Sequence, residues 1–204
     1  ISDNILISDI YMRAKELRVT ADVPRGVFLL RSLKKGESVP TDIIQAQFPD
    51  RQNDFVLSIG EGDVVLIRQM PEGSGIKELN KIATSVEESL RSGGESTVVV
   101  GIGTIATHLR DLAKSYKEAQ IAFEVGKVFD TGKYVINYEN LGIGRLIYQL
   151  PTTLCEMFLQ EVFKKNPIDA LDKETLFTIH KFFENNLNVS ETARKLFVHR
   201  NTLV

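Results

Sequence analysis

The chain has 204 residues, 43% apolar and 25% charged, with a net charge of −2, which leaves room for one or two domains and enough apolar material for a real core. Its single cysteine, Cys155, excludes an intramolecular disulfide and points to a reducing, cytoplasmic compartment. No apolar run approaches the ~18 residues of a membrane span, and no secretion signal opens the chain.

In chain order, residues 8–17 suit a short helix leading in from something upstream. After Pro24, the run Gly26-Val27-Phe28-Leu29-Leu30 is β-compatible, and 40–48 reads as a helix closed by Pro49. Residues 55–59 and 64–68 are two strands around Gly60-Glu61-Gly62-Asp63, a hairpin signal because two glycines sit in a short loop between apolar runs. Glu61 and Asp63 read there as solvated charges that keep the edge from pairing. The cleanest helix is 76–90, where Leu79, Ile82, Ala83, Val86 and Leu90 make one stripe and Gly93-Gly94 stops it. Residues 98–102 form a buried strand. A long helix, 109–129, turns Leu109, Leu112, Tyr116, Ala119 and Phe123 inward, and 134–136 is a last strand. Beyond Gly142 and Gly144 only helices follow, at about 145–150, 152–164 and 172–186, and Cys155 within them reads as a small buried hydrophobe.

The order β-α-β-β-α-β-α-β specifies an α+β domain with a mixed or antiparallel sheet and flanking helices. We therefore expect a helix or linker from an upstream domain over 1–20, the α+β domain over 21–141, and an all-α segment over 142–204.

The last sixteen residues read as a helix-turn-helix that stops before its second helix is finished, and the chain is expected to be a piece of a longer protein. Asn188 with Glu191 predicts a capping box, the amide oxygen accepting a backbone N–H while the carboxylate reaches back. Thr192, Ala193, Leu196 and Phe197 then fall at helical spacing, with Ala193 small enough for two helices to cross. Val198 and His199 form a short turn, and His199-Arg200-Asn201-Thr202 opens the second helix. A core helix would waste those donors, whereas phosphates and bases use them. Arg194 and Lys195 are candidates for positioning on phosphate. His199 would cap the second helix or contact phosphate, and Arg200, Asn201 and Thr202 would face the groove of double-stranded DNA. The charge signal is thin: from Asp172 onward there are five Lys or Arg against four Asp or Glu, a net of +1.

Two other patterns invite functional readings. Gly101-Ile102-Gly103-Thr104-Ile105-Ala106 matches the dinucleotide fingerprint, but it follows a hairpin and two helices and lacks the acidic partner about 20 residues on. The two glycines are better read as letting a strand pack under a helix and turn sharply. His108, His180 and His199 have no second ligand at metal spacing, so neither a metal nor a cofactor is expected.

Residues 189–203, with the run Leu196-Phe197-Val198-His199-Arg200-Asn201-Thr202, resemble the C-terminal helix-turn-helix of the sugar-diacid and purine-catabolism regulators of the CdaR/PucR type. Val100-Gly101-Ile102-Gly103, Leu109-Arg110, Ser115-Tyr116-Lys117-Glu118-Ala119 and Tyr138-Glu139-Asn140-Leu141-Gly142 resemble the degenerate GGDEF-like domain that precedes it. The resemblance implies a transcription regulator acting as a homo-oligomer on DNA, controlled by a small metabolite such as a sugar diacid bound in a domain upstream of Ile1. It also places the hairpin at the turn where a diguanylate cyclase carries its catalytic residues. There Gly62 stands at an acidic metal-ligand position, Val64 at the final aromatic, and the strand Phe28-Leu29-Leu30-Arg31-Ser32 lacks the acidic ligand, so no catalytic residue is assigned. Arg51 and Asp54, five residues or so before Gly60, echo the inhibitory dinucleotide site of true cyclases. The alternative function is thus a nucleotide- or cyclic-dinucleotide-binding sensor, and a third is a dimerisation spacer.

Overall fold

Strand β1 (Arg25–Ser32) runs through the middle of a five-stranded sheet because it is apolar on both faces: Val27, Phe28, Leu29 and Leu30 are all buried. The computed structural model describes residues 5–34, 36–60, 62–94, 97–129, 134–163, 171–185 and 187–203. Glu61 of the hairpin, Lys164 and Asn186 at two expected helix ends, and Val204 lie outside these. Around β1 stand β2 (Asp54–Ile59), β3 (Asp63–Gln69), β4 (Val98–Ile102) and β5 (Val135–Asn137), in the order β2-β3-β1-β4-β5. All neighbours are antiparallel except β4 and β5, which are parallel, so the α+β fold with a mixed sheet is what forms.

The helices divide between the two faces by strand parity. Phe28, Leu30, Val64, Leu66, Val98 and Val100 point toward α2 (Thr41–Gln47) and α3 (Ile76–Ser92), whose Ile44, Leu79, Ala83, Val86 and Leu90 complete one core. Val27, Leu29, Val65 and Val99 point the other way, toward Ala119, Ala122 and Phe123 of α4 (Leu112–Phe129). The expected helix 109–129 therefore starts late, its first three residues, Leu109–Asp111, forming a 3-10 turn. The last strand begins at Val135 and not at Tyr134, although the Tyr134 carbonyl still accepts from Val100 N–H at 2.7 Å.

Helix α4 lies unusually close to β4. A Cβ at Gly103 would overlap the Ser115 carbonyl oxygen, and one at Gly101 the Ala119 carbonyl oxygen. Both obstacles are backbone, which cannot swing aside. This is the strand-under-helix role expected of the two glycines. The loop after β4 is then fastened to the same helix: the Glu118 carboxylate accepts from Thr104 N–H at 3.0 Å and from the Thr104 hydroxyl, while Ser115 Oγ donates to the Thr104 carbonyl at 2.6 Å. Ser115 and Glu118 are both buried, satisfied polar groups.

The chain forms two compact units, Ile1–Gln149 and Leu150–Val204. The first also holds α1 (Ile7–Glu16) and α5 (Gly144–Tyr148). The second is helical, with α6 (Thr152–Phe163), α7 (Lys173–Glu184), α8 (Val189–Lys195) and α9 (Arg200–Leu203). Cys155 on α6 is half-buried rather than buried, because α6 fully buries none of its residues.

We predict that Gly103→Ala destabilises the protein by ~1–3 kcal/mol in denaturant unfolding, the usual range for forcing atoms into a filled core. Unchanged stability would show that α4 can back away from β4.

Candidate functional site

The C-terminal turn is built from caps. Asn188 Oδ1 accepts from Glu191 N–H at 3.0 Å and so opens α8, as its spacing predicts. The reciprocal half of the box is not made. Glu191 turns outward and pairs with Arg194 at 2.5 Å, since an arginine three residues on offers a charged partner while Asn188 N–H is already taken by the Asn185 carbonyl. Arg194 is thus an exposed, paired charge. Lys195 reaches back to Asn185 Oδ1 at 2.5 Å, tying the end of α8 to the end of α7.

Thr192 and Ala193 are the buried pair on α8. Phe197 does not continue that helix, contrary to its helical spacing. The helix ends at Lys195, Phe197 adopts a left-handed φ of 57°, and its side chain is 96% exposed. With Leu196 capping in right-handed geometry, the Val198 N–H returns to the Ala193 carbonyl at 3.0 Å and the chain reverses. His199 then stands before α9. Its Nδ1 accepts from Asn201 N–H at 3.3 Å and its carbonyl from Thr202 N–H at 2.8 Å. Arg200, Asn201 and Thr202 follow as consecutive exposed residues in the first turn of α9. Four of the six candidate DNA residues therefore cluster at one helix start, and two lie on α8.

The hairpin turn has a different chemistry from the one its charges suggest. Gly60 and Gly62 carry left-handed φ values of 62° and 102°, which the reversal requires. Asp63 is not a solvated charge. Both of its oxygens are held by Arg31, Oδ1 by Nε at 2.6 Å and Oδ2 by a terminal nitrogen at 2.7 Å. The remaining nitrogen donates to Glu124 of α4 at 2.9 Å, and the guanidinium lies 4.5 Å over the Phe123 ring. An arginine cation thus sits between the carboxylates beside the turn. The cleft alongside, about 410 Å³, is lined by Arg31, Gly36, Glu37, Gly60, Gly62 and Asp63.

Arg51 and Asp54 line one smaller cleft of about 180 Å³ at the opposite end of the hairpin. Burial raises the Asp54 carboxyl above its ordinary pKa, with Arg68 working in the other direction. At the G-x-G-x-x-A stretch the anion position is filled internally, because the Glu118 carboxylate takes the Thr104 donors that a phosphate would use. His108 Nδ1 lies 2.9 Å from Asp22 Oδ1, which also accepts from Tyr11 of α1 at 3.2 Å; the hydrogen bond to His108 is the main cause lowering the Asp22 pKa. Among the described residues, no group of three His, Cys, Asp or Glu is placed to hold a metal, and no helix is long and apolar enough to cross a membrane.

Two caps allow a pH test. Asp172 accepts from Thr175 N–H at 2.7 Å and from its hydroxyl at 3.0 Å, bonds that hold its carboxyl below the ordinary range. A lowered folded pKa stabilises α7 fully above the unfolded value of about 4, and the contribution disappears as pH falls through the folded value. Protection of the Thr175 amide should therefore fall on acidification through that window, while that of Glu191, whose partner Asn188 does not titrate, should hold longer. Asn188→Ala should cost ~1 kcal/mol at neutral pH. Parallel loss at both amides would show that the caps do not act locally.

The GGDEF-like domain family matches residues 3–125, and the PucR C-terminal helix-turn-helix domain matches residues 175–204. The purine catabolism regulatory protein of Bacillus subtilis is 30% identical over 112 residues, which make up 53% of this chain and 20% of that protein, so the match spans about a fifth of the relative's length. A regulator of polyketide synthase expression from Bifidobacterium adolescentis superposes with a TM-score of 0.47 at 12% identity, over 95% of this chain and 72% of that one. With a GGDEF-like match over most of its first unit and a PucR-type match at its end, the chain belongs to the GGDEF-like family and is of the CdaR/PucR regulator type.

Proposed function

We propose that this chain is part of a DNA-binding transcription regulator, cytoplasmic and homo-oligomeric, that controls a metabolite-utilisation pathway in response to a small-molecule effector bound upstream of these residues. The observation that carries the reading is the run Arg200-Asn201-Thr202, exposed at the start of α9 and set there by the Asn188 and His199 caps. Base edges are read by such side chains from the N-terminal turn of a recognition helix. Arg194 and Lys195 serve to position the backbone. The ion pair that Arg194 makes with Glu191 is exposed and worth little, so a phosphate can replace it. The resemblance to the sugar-diacid regulators implies a carbohydrate diacid as effector, and the Bacillus relative is named for purine catabolism; induction of the target operon by each class decides between them.

The GGDEF-like domain carries no cyclase activity in this reading. Two-metal chemistry needs free converging carboxylates. Gly62 supplies none, and both oxygens of Asp63 are bound by Arg31.

In the complete protein, Arg200→Ala or Asn201→Ala should each cost ~1–3 kcal/mol against the cognate site, with little change on random DNA. Arg194→Ala should weaken all sequences alike and reduce the salt slope by about one. Equal losses on specific and random DNA for both kinds of variant would contradict this division of roles.

Incubation with GTP and Mg²⁺ should yield no cyclic dinucleotide. Product that disappears in Asp63→Ala would overturn the regulator reading in favour of an enzyme.

A further inference from the structure

At the end of the β2–β3 pair away from the hairpin turn lies a cleft of about 450 Å³. Its walls include Phe48, Asn53, Asp54, Arg68 and Met70. Asp54 and Arg68 are paired across the two strands, so both project from the same face of the sheet. The Arg68 guanidinium lies 4.5 Å from the centroid of the Phe48 ring, and Phe48 itself is buried. The two arginines of β1 are engaged, Arg25 through its terminal nitrogens by main-chain carbonyls, with its buried Nε left unpaired, and Arg31 by carboxylates. The Arg68 guanidinium, by contrast, makes no hydrogen bond or close salt bridge with a described residue; its charge acts on Asp54 from a distance, in the direction that lowers that carboxyl's pKa. A guanidinium fixed on an aromatic plane with its fork of N–H groups open is the arrangement that takes a planar oxyanion.

The rest of the cleft limits what that anion is. Asp50 and Asp54 line it against the one arginine, so it repels multiply charged anions. Asp50 is already occupied by Gln52 N–H at 3.2 Å and the Asn53 amide at 2.8 Å. Asp54 is partly desolvated, which burial registers as a raised carboxyl pKa, and such a group gains from an N–H donor brought by a ligand. Phe48 and Met70 supply apolar wall, and the volume is that of a site for a small molecule.

We propose that this cleft binds a small amphoteric carboxylate, its carboxylate on Arg68 and an ammonium or amide N–H group on Asp54. The inference is independent of DNA binding and concerns a different face from the hairpin turn.

The test uses the whole chain, labelled with nitrogen-15. It is titrated to millimolar concentrations with L-glutamine, L-asparagine and L-histidine as amphoteric probes, and with succinate, inorganic phosphate and cyclic di-GMP as anions. At least one amphoteric probe should give saturable shifts of the Asn53, Gln69 and Met70 amides. Arg68→Gln should weaken that probe by about tenfold or more, and Asp54→Asn should weaken it without weakening succinate. Unshifted Thr104 and Glu118 amides in both variants would establish that the fold is intact; should either variant unfold, competition of the amphoteric probe by succinate in the unsubstituted chain takes its place, and failure to discriminate between the two overturns the proposal. No saturable shift with any amphoteric probe, undiminished binding in a folded Arg68→Gln, or a preference for cyclic di-GMP would each overturn it.

Discussion

The close approach of α4 to β4 is the constraint on which the first unit depends. Gly101 and Gly103 bring the strand within reach of the helix backbone at Ala119 and Ser115. At that separation a buried carboxylate becomes affordable, because Glu118 can be satisfied by donors from the adjoining loop rather than by water. The same contact seats Ala119, Ala122 and Phe123 on the second face of the sheet, which would otherwise expose Val27, Leu29 and Val65. Removing the glycines would therefore act on the sheet, the loop after β4 and the core beyond it at once.

Phe123 connects this packing to the hairpin. Its ring lies beneath the Arg31 guanidinium, which joins Asp63 of the hairpin to Glu124 of α4. A turn that resembles a catalytic metal site is thereby occupied by a cation from the chain itself. That cation comes from β1, the strand on which the resemblance expects an acidic ligand.

The second unit is organised by caps more than by a core. Asp172 and Asn188 each open a helix, His199 stands at the start of a third, and Lys195 ties two of them through Asn185. Short helices gain little from propensity alone, so the direction in which Arg200, Asn201 and Thr202 emerge rests on a few local hydrogen bonds. Phe197, exposed and in a left-handed conformation, marks the sharpest point of that reversal.

The order of strands and helices, the hairpin, the stripe of α3 and the cap at Asn188 were all legible in the residues, because each depends on periodicity or on neighbours within a few positions. The α+β class followed from that order, and the cluster at His199 to Thr202 from its polar character at the start of an apolar helix. What the residues could not reveal were partners distant in the chain. Asp63 read as a solvated charge because its arginine stands 32 positions away, and no local pattern marked Glu118 as a buried acceptor, because the loop that satisfies it is fourteen positions back. Glu191 read as half of a capping box, yet Arg194 on the same turn competes for it and wins through charge. Phe197 fitted a helical stripe that backbone reversal had already ended. Local pattern thus determined which elements exist, and tertiary packing decided which charges face one another, because electrostatic partnership depends on distance in space and periodicity records only distance along the chain.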